Sequence, residues 1–342
     1  MIQTLLKAQQ NQQIDLEVHV LEESRPPLND PLFSKCDLPV IRWYGGRRWQ
    51  FALGLLTAGP DLMLMDHVGL ARLSGLLPAM FNRPYALLIH GVEIWNNHRK
   101  DYHRSAKKAS LLIANSAYTA NKSRSHYPDL PTIKVCWPGK DAVHSVHHGK
   151  SPTKVNPGPH ALLMVGRLSA AQRHKGHDEM IAALPLVLKE LPTAQLIVAG
   201  DGDDLERLKS RAAQINVLES VVFTGWVDEN QLSFLYQRCA VFVMPSDGDG
   251  FGLVFLEAMM NKLPCVGLKS AAAAEILEDK VSGILVDREE PEVLARQLLS
   301  LLVDEQRRKA MGAAGFARYR ELFTAQHFSD RFMSIINAQL AA

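Results

Sequence analysis

Residues 244–266 read MPSDGDGFGLVFLEAMMNKLPCV, and the pattern of this segment changes twice along its length. The apolar residues up to Met244 predict the end of a buried strand, and those from Leu253 onward predict a helix. Between them, DGDGFG is a glycine-rich turn that lets the backbone approach a ligand closely. The free N–H groups at the start of the helix would bind an anion. The segment therefore predicts a ligand site at the carboxyl end of a parallel strand.

The chain around this segment alternates between strands and helices. From 160 to 304, apolar runs such as HALLMVGRL (160–168) and AVFVMPS (240–246) are separated by helical patterns of about 10–15 residues. This alternation predicts βαβ units and a parallel sheet covered on both faces. The N-terminal half alternates less regularly. Its strand candidates are residues 16–22, 38–45, 61–67, 85–91, 110–117 and 132–138.

The composition is typical of a globular protein. The chain has 342 residues, enough for two domains, with 47% hydrophobic and 22% charged residues. The four cysteines show no CxxC spacing, so we expect neither a disulfide framework nor a zinc site. No apolar run approaches the roughly 18–20 residues that cross a bilayer, and no signal-peptide core is seen. These features predict a cytoplasmic protein.

The DGDGFG turn has several alternative interpretations besides an anion-binding ligand site. The segment does not fit a calcium-binding loop, because Phe251 and Ala258 occupy positions where oxygen ligands are needed. The glycines read GxGxG rather than GxGxxG, so an NAD-dependent oxidoreductase is only a minor alternative. An Asp-x-Asp metal site and a purely structural turn both remain open for this segment taken alone.

A second segment, VGRLSAAQRHKGHDE, places cations near the end of the first strand of the same sheet. Arg167 follows that strand directly, and Lys175 lies in the loop before the next helix. One contact between a cation and a phosphate at 4 Å is worth roughly 4 kcal/mol at an effective dielectric constant near 20, before desolvation. Two such cations and a helix N-terminus would stabilise a leaving diphosphate without a metal ion. Solvated surface cations are the alternative.

Together, the two segments resemble the C-terminal domain of the retaining glycosyltransferases of family four, which have the GT-B fold. The resemblance covers about 160–304 and rests on five motifs. They are Gly166-Arg167-Leu168, Arg173-x-Lys175-Gly176-His177-Asp178, Ala199-Gly200-x-Gly202, Phe223-Thr224-Gly225-x-Val227 and Asp249-Gly250-Phe251-Gly252-Leu253-x-x-x-Glu257-Ala258. The resemblance implies an α/β chain of two Rossmann-like domains whose parallel sheets face a central cleft.

The resemblance also implies roles for single residues. Arg167 and Lys175 would bind the donor diphosphate, Glu257 the ribose hydroxyls, and Asp249 would face the sugar hydroxyls. The remaining donor-binding residues would be Val227 beside the base and the turn and helix start, Gly250, Phe251, Gly252, Leu253 and Val254.

The N-terminal half matches the family more loosely. His90-Gly91-Val92-Glu93-Ile94-Trp95 is similar to an HGxE-type segment whose histidine lies near the donor sugar and the acceptor, and Ala114-Asn115-Ser116-x-Tyr118-Thr119 resembles a strand–Ser–helix element. A satisfied structural histidine is the alternative for His90. The predicted catalytic residues are thus Asp249, His90, Arg167 and Lys175.

Two departures from the family pattern bear on activity. Asp249 stands where the family usually has Glu, and it is shorter by roughly 1.5 Å. A misplacement near 1 Å can cost on the order of 100-fold in rate. The chain also begins in a helix, MIQTLLKAQQ, so the family's first strand and its glycine-rich turn are expected to be missing. The alternative function is therefore a catalytically weak nucleotide-sugar-binding relative, or a scaffold in a glycan-assembly complex.

We predict four parts: an acceptor-side domain (1–145), a linker (146–159), a donor-binding domain (160–324) and a helix (325–342) that crosses back to the N-terminal domain. The predicted reaction moves a hexose, with retention, from a UDP- or GDP-linked donor to a glycan or a lipid-linked acceptor. No metal, other cofactor or nucleic acid is expected.

A membrane is a further predicted partner. Basic residues crowd one predicted helix, so peripheral contact with the anionic inner face of a membrane is expected, with a solvated helix face as the alternative. The residues are Arg99, Lys100, Arg104, Lys107 and Lys108.

Overall fold

The computed structural model describes residues 1–11, 13–23, 40–76, 84–95, 99–141, 155–288 and 290–341. Most of the predicted linker (146–159) lies outside these residues, as does the start of the strand candidate 38–45.

The N-terminal part contains two separate parallel sheets. In the first, β1 (Glu17–Val20) pairs with β2 (Val40–Trp43). The second has four strands in chain order: β3 (Met63–Met65), β4 (Tyr85–Ile89), β5 (Leu111–Ala114) and β6 (Ile133–Val135). In a doubly wound sheet the first strand lies between the second and the fourth. In the described residues no ladder joins the pair β1-β2 to the four-stranded sheet.

Six helices accompany these strands in the described residues. They are α1 (Ile2–Gln10), α2 (Arg48–Ala58), α3 (Val68–Leu76), α4 (Val92–Trp95), α5 (Lys100–Lys108) and α6 (Ala117–His126). The side chain of Ser116 accepts a hydrogen bond from the amide of Thr119, which begins α6. This cap fixes the start of α6 directly after β5.

The C-terminal part contains one sheet of six parallel strands. They are β7 (Ala161–Val165), β8 (Gln195–Ala199), β9 (Val221–Gly225), β10 (Val241–Met244), β11 (Cys265–Leu268) and β12 (Gly283–Val286). Their spatial order is β12-β11-β10-β7-β8-β9, which is the doubly wound order with its reversal between β7 and β10. In such sheets a ligand binds outside the carboxyl ends of the strands at the reversal.

Helices cover both faces of this sheet. They are α7 (His177–Glu190), α8 (Leu205–Gln214), α9 (Glu229–Arg238), α10 (Leu253–Met260), α11 (Ala273–Ile276), α12 (Pro291–Leu302) and α13 (Glu305–Leu322), and they are followed by a final helix, α14 (Ala325–Leu340). Their starts carry favourable residues, including a capping box of Asp228 with Gln231 before α9 and Pro291 in the first turn of α12. In the described residues, no helix is both long and apolar enough to cross a membrane.

The final helix packs on the N-terminal part rather than on the sheet that precedes it. Phe332 and Ile336 of α14 lie in one buried cluster with Leu88 of β4 and Ile113 of β5. Phe332 is fully buried, which contributes roughly 1.5–3 kcal/mol of transfer free energy. Apolar burial therefore ties the two ends of the chain together.

Candidate active site

A cavity of about 290 Å³ opens at the reversal point of the C-terminal sheet. Its walls are the ends of β7 and β10, the glycine-rich turn and the start of α10, and the N-terminal part closes it from the other side. The lining residues are Val165, Gly166, Lys175, Met244, Asp249, Gly250, Phe251, Gly252, Leu253 and Val254, together with His90, Asn115 and Pro138. Two sequence segments thus meet at one site, as in the contact between Ser116 and Gly250, which are 134 residues apart.

The glycine-rich turn touches the N-terminal part directly. The carbonyl oxygen of Gly250 accepts hydrogen bonds from the hydroxyls of Ser116 and Thr119, the latter at 3.0 Å. A Cβ atom on Gly250 would lie 1.6 Å from the carbonyl oxygen of His90, so only glycine permits this approach. Gly252 has a φ of +98° and begins α10, whose first amides have no intrahelical acceptor. The helix start therefore presents free donors to the cavity.

The predicted cation Lys175 and the predicted carboxylate Asp249 form an ion pair in the cavity. The Nζ atom of Lys175 lies 2.7 Å from Oδ1 of Asp249, and their side chains are 13% and 25% exposed. The other oxygen of Asp249, Oδ2, is buried and has no hydrogen-bond partner among the described residues. A buried acceptor without a donor costs free energy, so this oxygen marks a place for a ligand's hydroxyl group.

Glu257 lies in the second turn of α10, beside the cavity. Its Oε1 is 2.5 Å from Nζ of Lys140, and its Oε2 accepts a hydrogen bond of 2.9 Å from the hydroxyl of Tyr236. Burial, together with the negative charge of Glu257, raises the pKa of Tyr236 well above its ordinary value. Tyr236 therefore stays protonated and donates to the carboxylate.

His90 follows β4 and faces the cavity. Its Nε2 lies 2.7 Å from the main-chain oxygen of Asp66 and 3.6 Å from Oδ1 of the same residue. The hydrogen bond with Asp66 raises the pKa of His90 and lowers the pKa of Asp66. The carboxylate of Glu93 accepts from the amide of Gly91, which holds the turn after the strand in place. His90 thus stands opposite the glycine-rich turn, with its charged form favoured by Asp66.

Other predicted residues lie at the edge of the cavity or outside its wall. The side chain of Arg167 is exposed and is not among those that line the cavity. Val227 packs beside a buried cluster of the C-terminal sheet. Arg173, which shares the loop of Lys175, is paired with Asp204 at 2.9 Å and so stabilises the start of α8. Of the cations in that loop, the structure places Lys175 in the cavity.

The sequence-based prediction missed four side chains that hold the site. Asp66, at the carboxyl end of β3, could have been found from the rule that ligands meet strand ends. Lys140 and Tyr236 have no such signal, because their contacts with Glu257 span 117 and 21 residues. Arg288 contacts Glu179 and Asp247, which fixes the start of the glycine-rich turn.

Residues 150–318 match the family described as glycosyl transferases group 1. Over this range, the chain carries a domain of the group 1 glycosyltransferases. The matched range contains Arg167, Lys175, Asp249 and Glu257. The family that the sequence motifs resemble is thereby confirmed.

Curated relatives of this group 1 chain include enzymes of lipid and small-molecule glycosylation. A GDP-mannose-dependent alpha-(1-6)-phosphatidylinositol monomannoside mannosyltransferase of Mycobacterium tuberculosis is 35% identical over 166 residues, 46% of this chain and 42% of that protein. A D-inositol 3-phosphate glycosyltransferase of Segniliparus rotundus is 30% identical over 219 residues, 61% of this chain and 48% of that protein. The chain spans about half the length of these relatives.

The solved structures that resemble this one share its fold over nearly the whole chain. HepE of Anabaena, in complex with UDP-glucose, has a TM-score of 0.75 at 19% identity and covers 98% of this chain and 95% of its own. Sucrose-phosphate synthase of Thermosynechococcus elongatus has a TM-score of 0.73 at 18% identity, covering 99% and 92%. The predicted GT-B fold of two Rossmann-like domains is confirmed.

Proposed function

We propose that this chain is a glycosyltransferase that moves a hexose from a nucleoside-diphosphate sugar to a glycan or lipid-linked acceptor, with retention and without a metal ion. One observation carries the proposal. The cavity at the reversal of the C-terminal sheet brings together a cation (Lys175), a carboxylate (Asp249) and a helix N-terminus, and Glu257 lies one turn further along that helix. His90 closes it from the acceptor side.

Each part of the donor matches one part of the site. The diphosphate lies against Lys175 and the free amides at the start of α10, with Arg167 reaching in from the cavity edge. The ribose hydroxyls donate to Glu257. The unpartnered Oδ2 of Asp249 accepts a hydroxyl of the sugar. The base lies toward Val227.

The donor nucleotide is a UDP or GDP group. We would test GDP-mannose first, because the relative that is 35% identical is named as GDP-mannose-dependent. The UDP-glucose bound to HepE makes UDP-glucose the second choice.

The reaction is a front-face substitution. The acceptor hydroxyl oxygen forms a bond to the anomeric carbon as the bond from that carbon to the diphosphate oxygen breaks. The acceptor proton passes to a phosphate oxygen of the leaving diphosphate, so both charge and atoms balance. Lys175 and Arg167 stabilise the negative charge that develops on the diphosphate, the role that a metal ion has in other transferases. The raised pKa of His90 favours its charged form, which donates to the sugar or acceptor oxygen.

We also propose that the N-terminal part, which would bind the acceptor, makes peripheral contact with an anionic membrane. On α5, Arg99 is paired with Asp101 and Lys107 with Asp129, so that helix is less basic than its sequence indicates. On α2, Trp49 is 83% exposed and Leu53 is 62% exposed. A lipid-linked acceptor would then reach the cleft from this face, with the protein in the cytoplasm at the inner face of the membrane.

On α2, exposed cations lie beside these apolar side chains. Arg47 and Arg48 precede Trp49 and are both exposed. Aromatic and arginine side chains side by side are typical of surfaces that bind anionic lipid.

A catalytically weak relative remains the alternative, because Asp249 is shorter than the usual Glu. Its Oδ1 nevertheless reaches Lys175, and its buried Oδ2 has no partner among the described residues. Binding of the donor without turnover of any acceptor is the result that would favour this alternative.

The test is a calorimetric titration of the purified protein, in the presence of EDTA, with UDP, GDP and ADP and with the common nucleotide sugars of each. Glu257→Ala is measured alongside, with Glu219→Ala as a matched control because Glu219 is exposed on the protein surface. Micromolar binding of one nucleotide that Glu257→Ala loses and Glu219→Ala keeps would support the proposal. A folded protein that binds no nucleotide would overturn it.

The bound nucleotide sugar then serves as donor in an acceptor screen. The anomeric configuration of the product, read by NMR coupling constants, tests retention. Turnover that requires an added divalent cation would overturn the metal-independent mechanism.

A further inference from the structure

Both carboxylate oxygens of Glu257 are held by side chains from different parts of the chain. Lys140, which follows β6, contacts Oε1 at 2.5 Å, and Tyr236 of α9 donates to Oε2 at 2.9 Å. The carboxylate is 17% exposed. A carboxylate has about four lone-pair sites, so two contacts leave sites free on both oxygens.

The main chain of Lys140 is fixed at the junction between the two parts of the molecule. Its amide donates to the carbonyl oxygen of Phe323 at 3.0 Å, and its carbonyl oxygen accepts from the hydroxyl of Tyr319 at 2.8 Å. The next residue, Asp141, accepts from the amide of Ala325 at the start of α14. Three contacts therefore fix the stretch of main chain from which the Lys140 side chain extends to Glu257.

Tyr236 is fixed as firmly from the other side. It is 3% exposed and belongs to the buried cluster beneath α10. Its ring packs against that of Phe242 on β10, with the ring centres 6.0 Å apart. The hydroxyl can thus reach Glu257 only along one direction.

We propose that Lys140 and Tyr236 are positioning residues that hold the Glu257 carboxylate in the orientation that recognises the ribose of the donor. This inference rests on the proposed function. It adds two residues to the donor site, Lys140 after β6 and Tyr236 on α9. With one lone pair of each oxygen already used, the remaining lone pairs of Glu257 point to one side, where the two ribose hydroxyls can donate to both oxygens. A freely rotating carboxylate would bind either hydroxyl without fixing the sugar ring.

A different role for Lys140 predicts a different result. The ammonium group could instead leave Glu257 and bind the diphosphate. Its removal would then weaken the binding of ribonucleotides and of 2′-deoxyribonucleotides equally. If it acts by holding Glu257, only the preference for ribose changes. The ratio of the two dissociation constants therefore separates the roles.

The experiment compares GDP with 2′-deoxy-GDP, and UDP with 2′-deoxy-UDP, by calorimetry on Lys140→Met and Tyr236→Phe. Each variant keeps the apolar part of the side chain and so the local packing. Lys209→Met is the matched control, because Lys209 is an exposed lysine paired with Glu206 on α8. We expect the unchanged protein to bind the ribonucleotide more tightly than the 2′-deoxyribonucleotide. In either variant the ratio of the two dissociation constants should fall about tenfold, which corresponds to the loss of one hydrogen bond to a charged group.

The outcomes are distinct. A ribose preference that is the same in both variants and the control would overturn the inference while donor binding stands. If Lys140→Met weakens the binding of ribo- and deoxyribonucleotides equally, the inference is also overturned, and Lys140 contacts the diphosphate instead. If the unchanged protein binds no nucleotide, the proposed function itself is wrong.

Discussion

Charged side chains in the cleft are arranged in pairs, each with one partner from a distant part of the sequence. Asp249 pairs with Lys175, Glu257 with Lys140, and Asp66 with His90. A partly buried charge without a partner is costly, and the pairs remove that cost before a donor arrives. Within the part of the chain that the structure describes, Oδ2 of Asp249 has no partner, so one acceptor of the site is left for a donor hydroxyl.

The pair of His90 and Asp66 predicts a dependence of stability on pH. A histidine whose pKa is raised in the folded state stabilises the fold fully below its ordinary pKa of 6.5, and this contribution is lost as the pH rises through the raised value. An aspartate whose pKa is lowered contributes above its ordinary value of 3.8, and that contribution is lost as the pH falls through the lowered value. The pair therefore stabilises most between these two ordinary values.

We expect Asp66→Asn to lower the free energy of unfolding at about pH 5.5 by no more than about 1 kcal/mol, since both side chains are partly exposed. The loss should be smaller at about pH 8, because the contribution of His90 is lost as the pH rises through its raised pKa. Urea denaturation at the two values measures this, and an NMR titration should show a lower pKa for His90 in the variant. An equal loss at both values would mean that the pair is not electrostatic.

At the scale of elements, the glycine-rich turn and the start of α6 form the contact across the cleft. Gly250 approaches the main chain of His90 too closely for any side chain, and the hydroxyls of Ser116 and Thr119 bind its carbonyl oxygen. The backbone of one part of the molecule thus packs directly against the backbone of the other.

We expect Gly250→Ala to open the cleft, because the added Cβ atom meets main-chain atoms that cannot move aside. A displacement of about 1 Å is expected to reduce any transferase activity on the order of 100-fold. Small-angle X-ray scattering should show a larger radius of gyration. Gly158→Ala is the control, since its Cβ atom would come no closer than 3.4 Å to any neighbour. An unchanged scattering curve for Gly250→Ala would contradict the expectation.

A second contact between elements depends on Glu275 of α11. Its carboxylate accepts from the amides of Ala117 and Tyr118 at the start of α6, at 2.8 and 2.6 Å, and from Nε1 of Trp137 at 2.7 Å. A negative charge at a helix N-terminus is favourable, and here it is supplied by the opposite part of the chain.

We expect Glu275→Ala to cost about 2–3 kcal/mol, because it leaves three donors without their charged acceptor. Urea denaturation measures the change. Glu278→Ala removes an exposed carboxylate three residues further along and should change the stability by less than about 0.5 kcal/mol. Equal effects of the two substitutions would show that Glu275 does not join the two parts.

On the scale of the whole molecule, the two sheets face each other across the cavity, and α14 returns to the N-terminal part. The exposed residues Trp49 and Leu53 on α2 also belong to the N-terminal part. Their position four residues apart places them on one face of the helix.

We expect Trp49→Ser with Leu53→Ser to weaken binding to phosphatidylglycerol-containing vesicles by at least about tenfold, since each lost apolar contact is worth more than 1 kcal/mol. Vesicle co-sedimentation measures this, and binding should weaken as salt is added because of Arg47 and Arg48. Val303→Ser is the matched control, because Val303 is 69% exposed at the end of α12. Equal binding by all variants would exclude α2 as the membrane surface.

The elements of the C-terminal sheet were predictable because they depend on local patterns. Continuous apolar runs gave strands such as Ala161–Val165 and Val241–Met244, and the glycines of the DGDGFG turn placed a ligand site at a strand end. Arg167, Lys175 and Glu257 were named from their spacing within the matched motifs. Each of these inferences needs only neighbours within a few residues.

The partners of these residues depended on the tertiary structure. Lys140 meets Glu257, Glu275 meets Ala117, and Gly250 meets His90, across separations of more than a hundred residues. The sequence indicated Arg167 and Lys175 equally, yet only Lys175 lines the cavity. The reason is physical: local periodicity reports which face of an element is buried, whereas the docking of two sheets decides which side chains meet across the cleft between them.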